Sequence, residues 1–317
     1  MARDLTTLIG NRPDLARTSS YAAILGERPS QGARSPHLWN AVFTAQSSDI
    51  HFHPLDVEHN RLRDVVSALS DDKRFIGGAV TAPYKTAILP YLGRLDPLAT
   101  RIGAVNCIYR DNGTLVGTNT DGAAALAVLL EKINQPQIGN QKVLLIGAGG
   151  AGAAVGTYLL SSLGPNGQLL IANRTQKRAQ DLQQRIPDRS RVVNWPIDLE
   201  IIQDLDILVN CSTVGFAPED ASDLATNRLL TPLSQQSDPL ANIRDSLSAL
   251  AKLHPGAIVF DIIYQPRETM LLQLSAGLGY TVLGGLTMNL EQAVIAFTSV
   301  IPNQDKPTIR KIMSNVP

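Results

Sequence analysis

The chain has 317 residues, of which 44% are hydrophobic and 18% are charged, and its 28 acidic side chains balance its 28 basic ones. This composition excludes a disordered chain, and the length is enough for two domains of ordinary size. A formal net charge of zero gives no sign of a nucleic-acid or membrane-surface partner. The N-terminus lacks a signal-peptide pattern and no run reaches the roughly 18 apolar residues of a spanning helix, so we expect a cytoplasmic protein.

Cysteine and histidine are too sparse for a disulfide framework or a metal centre. Cys107 and Cys211 each lie in an apolar stretch that is typical of a strand, which predicts buried thiols. His51 and His53 alternate with Phe52 and therefore point to one face of a strand. Two histidines without a third ligand do not make a metal site, so we predict a structural role for them and no bound metal.

The N-terminal part of the chain predicts strands separated by loops and a helix. Residues 21–26 form an apolar run that ends in a glycine, and 51–55 and 75–81 are further strand candidates. Between the first two, Ser35 and Pro36 open a predicted helix, with serine as the N-cap and proline at the first helical position.

A hairpin is predicted next. Residues 102–109 and 115–121 are strand-like and flank the Asp-Asn-Gly turn at 111–113. A helical run over 122–130 follows and is expected to carry the chain into the second domain.

A glycine-rich turn follows the short apolar strand 143–146. Gly147, Gly149 and Gly152 have the spacing G-x-G-x-x-G, which is typical of dinucleotide-binding turns. The first glycine permits a tight turn, the second lets the backbone approach a pyrophosphate, and the third lets helix and strand pack closely. A purely structural turn is the alternative. Free N–H groups at the helix start would hold the phosphates, which predicts contacts from Gly147, Gly149, Gly150, Ala151 and Gly152.

A basic turn follows the next predicted strand, 169–172. An NAD site usually carries Asp or Glu at this point for the ribose 2′-hydroxyl. Here the sequence is Asn173-Arg174-Thr175, and Lys177 and Arg178 bring the cations to three within five residues. The pattern favours a 2′-phosphate and hence NADP, with NAD as a possible cofactor and a solvent-facing basic helix start as the structural alternative. The predicted contacts are Asn173, Arg174, Thr175 and Arg178.

The C-terminal part predicts three more strands, at 206–210, 257–264 and 280–283. Between the first two lies a long polar segment, 216–252, with prolines at positions 218, 232 and 239. Connections of this length are uncommon unless they carry function or disorder. Residues 288–301 are apolar at helical spacing and predict a docked C-terminal helix.

Two charged residues are candidates for proton transfer. Lys85 follows a strand and a proline turn, and Asp121 is expected at the end of the second hairpin strand. An aspartate can orient a lysine in a partly dry pocket, and the lysine can protonate a developing alkoxide. The alternative is two unrelated surface charges.

A series of motifs resembles the shikimate/quinate dehydrogenase family, in the family's order and from about residue 22 to residue 300. These motifs are Ser35-Pro36, the segment 79–85 (AVTAPYK), the segment 103–106 (GAVN), the segment 117–122 (GTNTDG), the glycine turn, Asn173-Arg174-Thr175, and Gly285-Leu286-x-Met288-x-x-x-Gln292-Ala293.

The resemblance implies an α/β fold with two domains and an active site in the cleft between them. Residues 1–122 and 288–317 would form an N-terminal α/β substrate-binding domain, and residues 123–287 a doubly wound Rossmann domain that binds NADP. The implied reaction is hydride transfer between NADP and a hydroxylated cyclohexene or cyclohexane carboxylate. It would interconvert shikimate and 3-dehydroshikimate in aromatic amino acid biosynthesis, in a monomer or homodimer. Quinate or an altered cyclitol acid as substrate, or a ligand-sensing protein of the same fold, are the alternatives.

The resemblance also implies roles for individual residues. Lys85 and Asp121 resemble the family's catalytic pair, and Gly285 lies in its last cofactor motif. Asn106 and Gln292 resemble ligands of the ring hydroxyls, whereas Asn106 could instead satisfy turn backbone. The remaining predicted substrate contacts are Ser35 and Thr81, similar to pocket hydroxyls, and Tyr264, similar to a tyrosine near the carboxylate or otherwise a core residue.

Three positions depart from the family pattern. Ala33 stands where the family usually has a serine, Ala79 where it has an asparagine, and Thr287 where it has a glycine. The carboxylate end of the pocket therefore loses a hydroxyl, and the preference between shikimate and quinate stays open.

Overall fold

The computed structural model describes residues 5–15, 19–217 and 225–316. Contacts divide the chain into two compact units, Met1–Thr120 with Leu290–Pro317, and Asp121–Asn289. The described strands are β1 (Tyr21–Gly26), β2 (His51–Asp56), β3 (Phe75–Val80), β4 (Arg94–Leu95), β5 (Cys107–Asp111), β6 (Thr114–Thr118), β7 (Lys142–Ile146), β8 (Gln168–Ala172), β9 (Ser190–Val192), β10 (Ile207–Asn210), β11 (Ile258–Asp261) and β12 (Thr281–Gly284). The described α-helices are α1 (Ser35–Ala45), α2 (Leu62–Asp71), α3 (Tyr84–Ala87), α4 (Pro97–Ile102), α5 (Thr120–Ile133), α6 (Gly150–Ser162), α7 (Gln176–Arg185), α8 (Leu199–Gln203), α9 (Pro239–Leu250), α10 (Met270–Gly277), α11 (Gly285–Val300) and α12 (Lys306–Ser314).

The first unit is built on a mixed sheet with the strand order β2-β1-β3-β5-β6-β4. Strand β1 is parallel to β2 and to β3, whereas β5 is antiparallel to β3 and forms the predicted hairpin with β6. The start of β5 therefore lies beside the end of β3, with Ala79 opposite Cys107. This end of the sheet gathers the loops that follow β1, β3 and β6.

Strand β1 is buried on both faces, which explains its uninterrupted apolar sequence. Alternate residues enter two different apolar clusters, so Tyr21 packs with α2 while Ala22 packs with α1. The second cluster includes Trp39 and Phe297, whose ring centroids are 5.0 Å apart. Helix α11, from the far end of the chain, therefore completes the core of the first unit.

The predicted starts of two elements were wrong. Helix α1 begins at Ser35 itself, because the Arg34 carbonyl already accepts the N–H of Leu38, and no side chain caps the helix. The first hairpin strand begins at Cys107 rather than at residue 102, because residue 102 is the last residue of helix α4, whose start Asp96 caps by accepting the N–H of Ala99.

The histidines and cysteines have the structural settings that the sequence predicts. His51 and His53 lie on one face of β2 with ring centroids 6.2 Å apart. Burial and the neighbouring His51 lower the pKa of His53. Cys107 and Cys211 are buried and unbridged. Burial, and then the nearby Asp261, raise the pKa of the Cys211 thiol, which keeps it unreactive.

The second unit is built on a fully parallel sheet with the strand order β12-β11-β10-β7-β8-β9. The chain runs outward from β7 through β8 to β9, then returns to β10 on the other side of β7 and runs outward again. This is the doubly wound order of dinucleotide-binding sheets, and its switch point lies between β7 and β10. Ligands of such sheets bind at the carboxyl ends of the strands at that point.

Three boundaries in the second half of the chain differ from the prediction. The segment 216–252, predicted as a long loop, contains helix α9, which Asp238 caps and which packs into the core through Ala249 and Leu250. Its first proline, at position 218, lies outside the described residues. Strand β11 ends at Asp261 rather than at residue 264. Helix α11 begins at Gly285, before the predicted start at 288.

Within the described ranges, we find no helix that combines the length and the apolar character needed to cross a lipid bilayer.

Candidate functional site

A pocket of about 780 Å³, including solvent at its mouth, opens at the carboxyl ends of β7, β8 and β10 in the second unit. It lies at the switch point of the sheet, where the fold places a nucleotide. Its lining residues are Ile146, Gly147, Gly149, Asn173, Arg174, Thr175, Arg178, Trp195, Cys211, Ser212, Thr213, Val214 and Pro232.

The glycines of the predicted turn have two different roles. Gly147 has a φ of +103°, and a Cβ there would lie 2.7 Å from the Cys211 backbone. A Cβ at Gly152 would lie 1.9 Å from the Gly147 carbonyl oxygen, so only glycine lets α6 pack this closely on the turn. Gly149 and Gly150 are the opposite case, because a Cβ there meets no atom of the described residues within 4 Å. The space beside the second glycine is therefore open to a bound group.

Helix α6 begins at this turn, and its N-cap residue, Gly149, has no side chain to cap the first N–H groups. Those groups are the usual donors to a pyrophosphate, and the open space beside Gly149 fits one. The residues present therefore fit a dinucleotide.

Asn173 holds the glycine turn in place. Its Oδ1 accepts the N–H of Ala148 at 2.9 Å, and its Nδ2 donates to the carbonyl of Thr175 at 2.8 Å. One amide thus ties the end of β8 both to the glycine turn and to the start of α7. Asn173 lines the pocket, and the structure gives it a bracing role that the sequence analysis did not foresee.

The cations of the basic turn separate into two groups. Arg174 and Arg178 are exposed and line the pocket, and no ion pair joins either of them to another described residue. Lys177 instead pairs with Asp181 at 2.7 Å along α7 and does not line the pocket. The described residues that line the pocket therefore include two guanidinium groups and no carboxylate, and guanidinium groups bind phosphate with bidentate geometry.

The pocket also contains residues that the sequence analysis missed. Trp195 and Pro232 come from separate loops, and the indole N–H of Trp195 donates to the Pro232 carbonyl at 3.0 Å. Ser212 also lines the pocket, and its hydroxyl donates to Asn210 Oδ1 at 2.7 Å. No local motif marks these residues, because tertiary contacts alone bring them to the pocket.

Asp261 is the last residue of β11, and its carboxyl group is buried. None of the groups that donate hydrogen bonds to it in the described structure is a cation. It accepts hydrogen bonds from Asn210 Nδ2 at 3.1 Å, the N–H of Ile263 at 3.0 Å and Thr269 Oγ1 at 2.7 Å. Burial raises its pKa to about 6, and the three hydrogen bonds limit the rise.

Asp261→Asn is expected to change the pH dependence of folding. A raised carboxyl pKa favours the folded state below the ordinary pKa of 3.8, and that contribution is lost as the pH rises through about 6. Between about pH 4 and pH 7 the free energy of unfolding of the parent should therefore fall by up to about 3 kcal/mol through this group. The uncharged variant should not show this fall. Urea unfolding of both proteins across this range measures the difference, in which shared groups such as His53 cancel. If the difference in the free energy of unfolding between parent and variant does not change with pH, the pKa of Asp261 is not raised.

In the first unit, three predicted site residues lie at one end of the sheet. Thr81 follows β3, and its N–H donates to the Leu25 carbonyl at 2.9 Å, which places it beside the end of β1. The Lys85 carbonyl accepts the N–H of Val105 at 2.7 Å, and the N–H of Asn106 donates to the Thr118 carbonyl. The structure thus brings the backbones of Thr81, Lys85 and Asn106 together.

Asn106 is buried and clamps the start of helix α5. Its Oδ1 accepts the N–H of Thr120 at 2.7 Å, and its Nδ2 donates to Thr120 Oγ1 at 3.0 Å. The backbone role that was an alternative for Asn106 is therefore present. Asp121 follows Thr120 in the first turn of α5 and is 9% exposed. Its predicted place at a strand end was wrong, because β6 ends at Thr118.

The other predicted substrate residues are more scattered. Ser35 begins α1 and Gln292 lies in α11, both in the first unit, whereas Tyr264 follows β11 in the second unit. Tyr264 is 36% exposed, which makes the core alternative wrong. A Cβ at Gly285 would lie 2.0 Å from the Ile262 carbonyl oxygen, so this glycine permits close packing and does not line the nucleotide pocket. Gly150, Ala151 and Gly152 likewise lie outside its lining.

Two of the three departures from the family pattern lie in or against one apolar cluster. Ala79 is buried in the cluster of Ala22 and Trp39, and Ala33 packs against the same cluster. Thr287 lies in the first turn of α11.

Two family models match the chain. The model of the shikimate dehydrogenase substrate binding domain matches residues 25–108, and the model of shikimate / quinate 5-dehydrogenase matches residues 129–217. The matches fall on the two compact units separately.

Known proteins resemble the whole chain. A shikimate dehydrogenase (NADP(+)) from a Geobacillus species is 35% identical over 292 residues, which are 90% of this chain and 94% of the relative. The crystal structure of shikimate dehydrogenase from Aquifex aeolicus superposes with a TM-score of 0.75 and 27% identity, and covers 95% of this chain and 98% of that one. The structure of quinate dehydrogenase from Corynebacterium glutamicum in complex with NAD superposes with a TM-score of 0.72 and 25% identity. It covers 94% of this chain and 99% of that one. The chain therefore belongs to the shikimate/quinate dehydrogenase family.

Proposed function

We propose that this chain is an NADP-dependent dehydrogenase that interconverts shikimate and 3-dehydroshikimate. The observation that carries the proposal is its 35% identity over 90% of its length to a relative named shikimate dehydrogenase (NADP(+)). The pocket of the second unit supports the cofactor assignment, because Arg174 and Arg178 line it where an NAD site usually has a carboxylate.

The proposed cofactor residues follow from the pocket. Free N–H groups at the start of α6 would bind the pyrophosphate beside Gly149, and Arg174 and Arg178 would bind the 2′-phosphate, with Thr175 between them. When bound, the nicotinamide exchanges a hydride with the carbon that bears the reacting hydroxyl.

Lys85 and Asp121 are the proposed catalytic residues. The hydroxyl oxygen must lose a proton when its carbon loses a hydride, and a neutral Lys85 amine would accept that proton. In the reverse direction the Lys85 ammonium would return it to the oxygen. Asp121 would orient the lysine and stabilise its charged form. The Asn106–Thr120 clamp supports this role, because it fixes the residue that precedes Asp121.

The substrate contacts are proposed from the matching motifs. Asn106 and Gln292 would bind ring hydroxyls, Ser35 and Thr81 would add pocket hydroxyls, and Tyr264 would lie near the carboxylate. Thr81 and Asn106 lie at the sheet end that also holds Lys85, which supports their assignment. We assign residues 1–122 with 288–317 to substrate binding and 123–287 to NADP binding, and the compact units divide close to these bounds.

Quinate is the second candidate substrate. The similarity to a quinate dehydrogenase and the loss of polar groups at Ala33 and Ala79 favour it. Purified protein supplied with NADP⁺ and either acid tests the choice, with the product identified by mass spectrometry. We expect shikimate to give the higher kcat/KM, and a higher value with quinate would reverse the assignment.

A ligand-sensing protein would turn over neither acid, and the presence of Lys85 and Asp121 argues against it. The cytoplasmic location and the monomeric or dimeric state stay predictions.

Arg174→Ala is expected to weaken NADP⁺ binding at least about tenfold and to leave NAD⁺ binding nearly unchanged, since a charge-assisted hydrogen bond contributes about 1.5–3 kcal/mol. Only NADP⁺ carries the 2′-phosphate that the guanidinium would bind. Calorimetric titration with both cofactors measures the effect. Lys177→Ala is the matched control, because this lysine lies on the same turn but outside the pocket. Equal losses for both cofactors would place Arg174 on a group that they share.

A further inference from the structure

Trp195 is an aromatic side chain of the nucleotide pocket that the assignments above leave without a role. It follows β9, the strand next to β8, and it is the sole aromatic residue among the described residues that line the pocket. One part of the indole packs against the apolar core of the second unit, and its N–H donates to the Pro232 carbonyl at 3.0 Å. These contacts hold the ring in one orientation at the pocket wall.

The position of Trp195 along the pocket matches one part of the cofactor. The pyrophosphate site lies at the end of β7, and the arginines that would bind the 2′-phosphate follow β8. The next strand outward is β9, and Trp195 comes from the loop that follows it. In NADP the adenine is attached to the same ribose that carries the 2′-phosphate. The base must therefore lie close to Arg174 and Arg178, at the end of the pocket that Trp195 lines.

The chemistry of this wall suits a base. Adenine is flat and aromatic, and its faces lose contact with water most favourably against another aromatic ring. The alternative partner is a guanidinium plane, which also stacks on bases, but Arg174 and Arg178 are already assigned to phosphate. The Pro232 carbonyl fixes the indole before any ligand binds, which lowers the entropic cost of stacking.

We propose that Trp195 is the stacking platform for the adenine ring of the cofactor. The inference rests on the proposed NADP site and adds a binding residue that every adenine dinucleotide would use, whether or not it carries a 2′-phosphate.

Tryptophan fluorescence tests this directly, because the chain has only two tryptophans. The other, Trp39, is 1% exposed and lies in the core of the first unit. The probe is adenosine 2′,5′-bisphosphate, which has the adenine, the ribose and the 2′-phosphate but no nicotinamide to absorb the emission. We expect the probe to quench the Trp39→Phe variant, whose single tryptophan is Trp195. Trp195→Phe should show no quenching.

Calorimetry on a second pair of variants separates stacking from the hydrogen bond. Trp195→Phe keeps a ring and loses the N–H, whereas Trp195→Leu loses both, and circular dichroism verifies that each is folded. We expect Phe to bind NADP⁺ and NAD⁺ within about threefold of the parent and Leu to bind both about tenfold more weakly, as for loss of a base–aromatic stack. Arg174→Ala, by contrast, should affect NADP⁺ alone.

Two results would overturn the inference while leaving the NADP site intact: quenching that persists in Trp195→Phe, or an unchanged affinity of Trp195→Leu for both cofactors. A parent protein that binds neither NADP⁺ nor the bisphosphate would overturn the proposed function and this inference together.

Discussion

Replacing Lys85 with alanine is expected to lower kcat for shikimate oxidation at least about a hundredfold, the low end of what a general acid–base group contributes. The amine is the proposed acceptor of the hydroxyl proton, so its loss acts on the step that follows binding. KM for shikimate should change much less than kcat, because hydroxyl and amide side chains such as Thr81 and Asn106 would still bind the ring. Steady-state kinetics with saturating NADP⁺ separates the two constants.

Lys73→Ala is the matched control, because Lys73 is an exposed lysine of the same unit, in the turn before β3. It should keep the parent values. If Lys85→Ala keeps its kcat and only KM rises, Lys85 binds the substrate and the catalytic assignment fails. Circular dichroism and thermal unfolding show whether the variant is folded.

Asp121→Asn is expected to reduce kcat by a similar factor, about a hundredfold. The substitution keeps the shape of the side chain but removes the negative charge that would stabilise the lysine ammonium and orient it. The Asn106–Thr120 clamp uses the backbone and hydroxyl of Thr120, so it should survive the change. Steady-state kinetics with saturating NADP⁺ measure the effect, and KM for shikimate should change less than kcat.

Asp188→Asn controls for the loss of one carboxylate, since Asp188 is exposed in the loop between α7 and β9. An Asp121→Asn variant with the parent kcat and KM would break the proposed pair. A rise in KM with the parent kcat would make Asp121 a substrate ligand rather than the partner of Lys85.

The parts that sequence predicts well are those with a local signal. The apolar strands around 143–146 and 169–172 are predicted because both faces of a central parallel strand are buried, so the run is continuous. The glycine turn is predicted because its backbone needs the left-handed φ of Gly147 and the bare Cα of Gly152, which other residues do not supply.

The start of α5 shows what local patterns miss. The sequence predicts a strand over 115–121, yet β6 ends at Thr118 and the helix begins at Thr120. The reason is Asn106, fourteen positions away along the chain, whose amide binds the Thr120 N–H and hydroxyl. Helix α9 was missed for a different reason, because its polar sequence hides the few residues, such as Leu250, that enter the core.

The proposed adenine end of the pocket was equally beyond local prediction. Trp195 and Pro232 are 37 residues apart, and neither lies in a motif. Only the folded chain brings them together beside the basic turn, which local chemistry did identify. Sequence thus located the groups proposed to bind phosphate, whose chemistry is local, and missed the apolar wall, which depends on tertiary packing.

The most direct test of the central claim is the stoichiometry of shikimate oxidation by the purified chain with NADP⁺. The absorbance of the reduced nicotinamide and the amount of 3-dehydroshikimate would be measured in the same reaction. We expect the two products to form in equal amounts, with NADP⁺ strongly preferred over NAD⁺. No reduction of NADP⁺ with shikimate, by folded protein that binds the cofactor, would contradict the account.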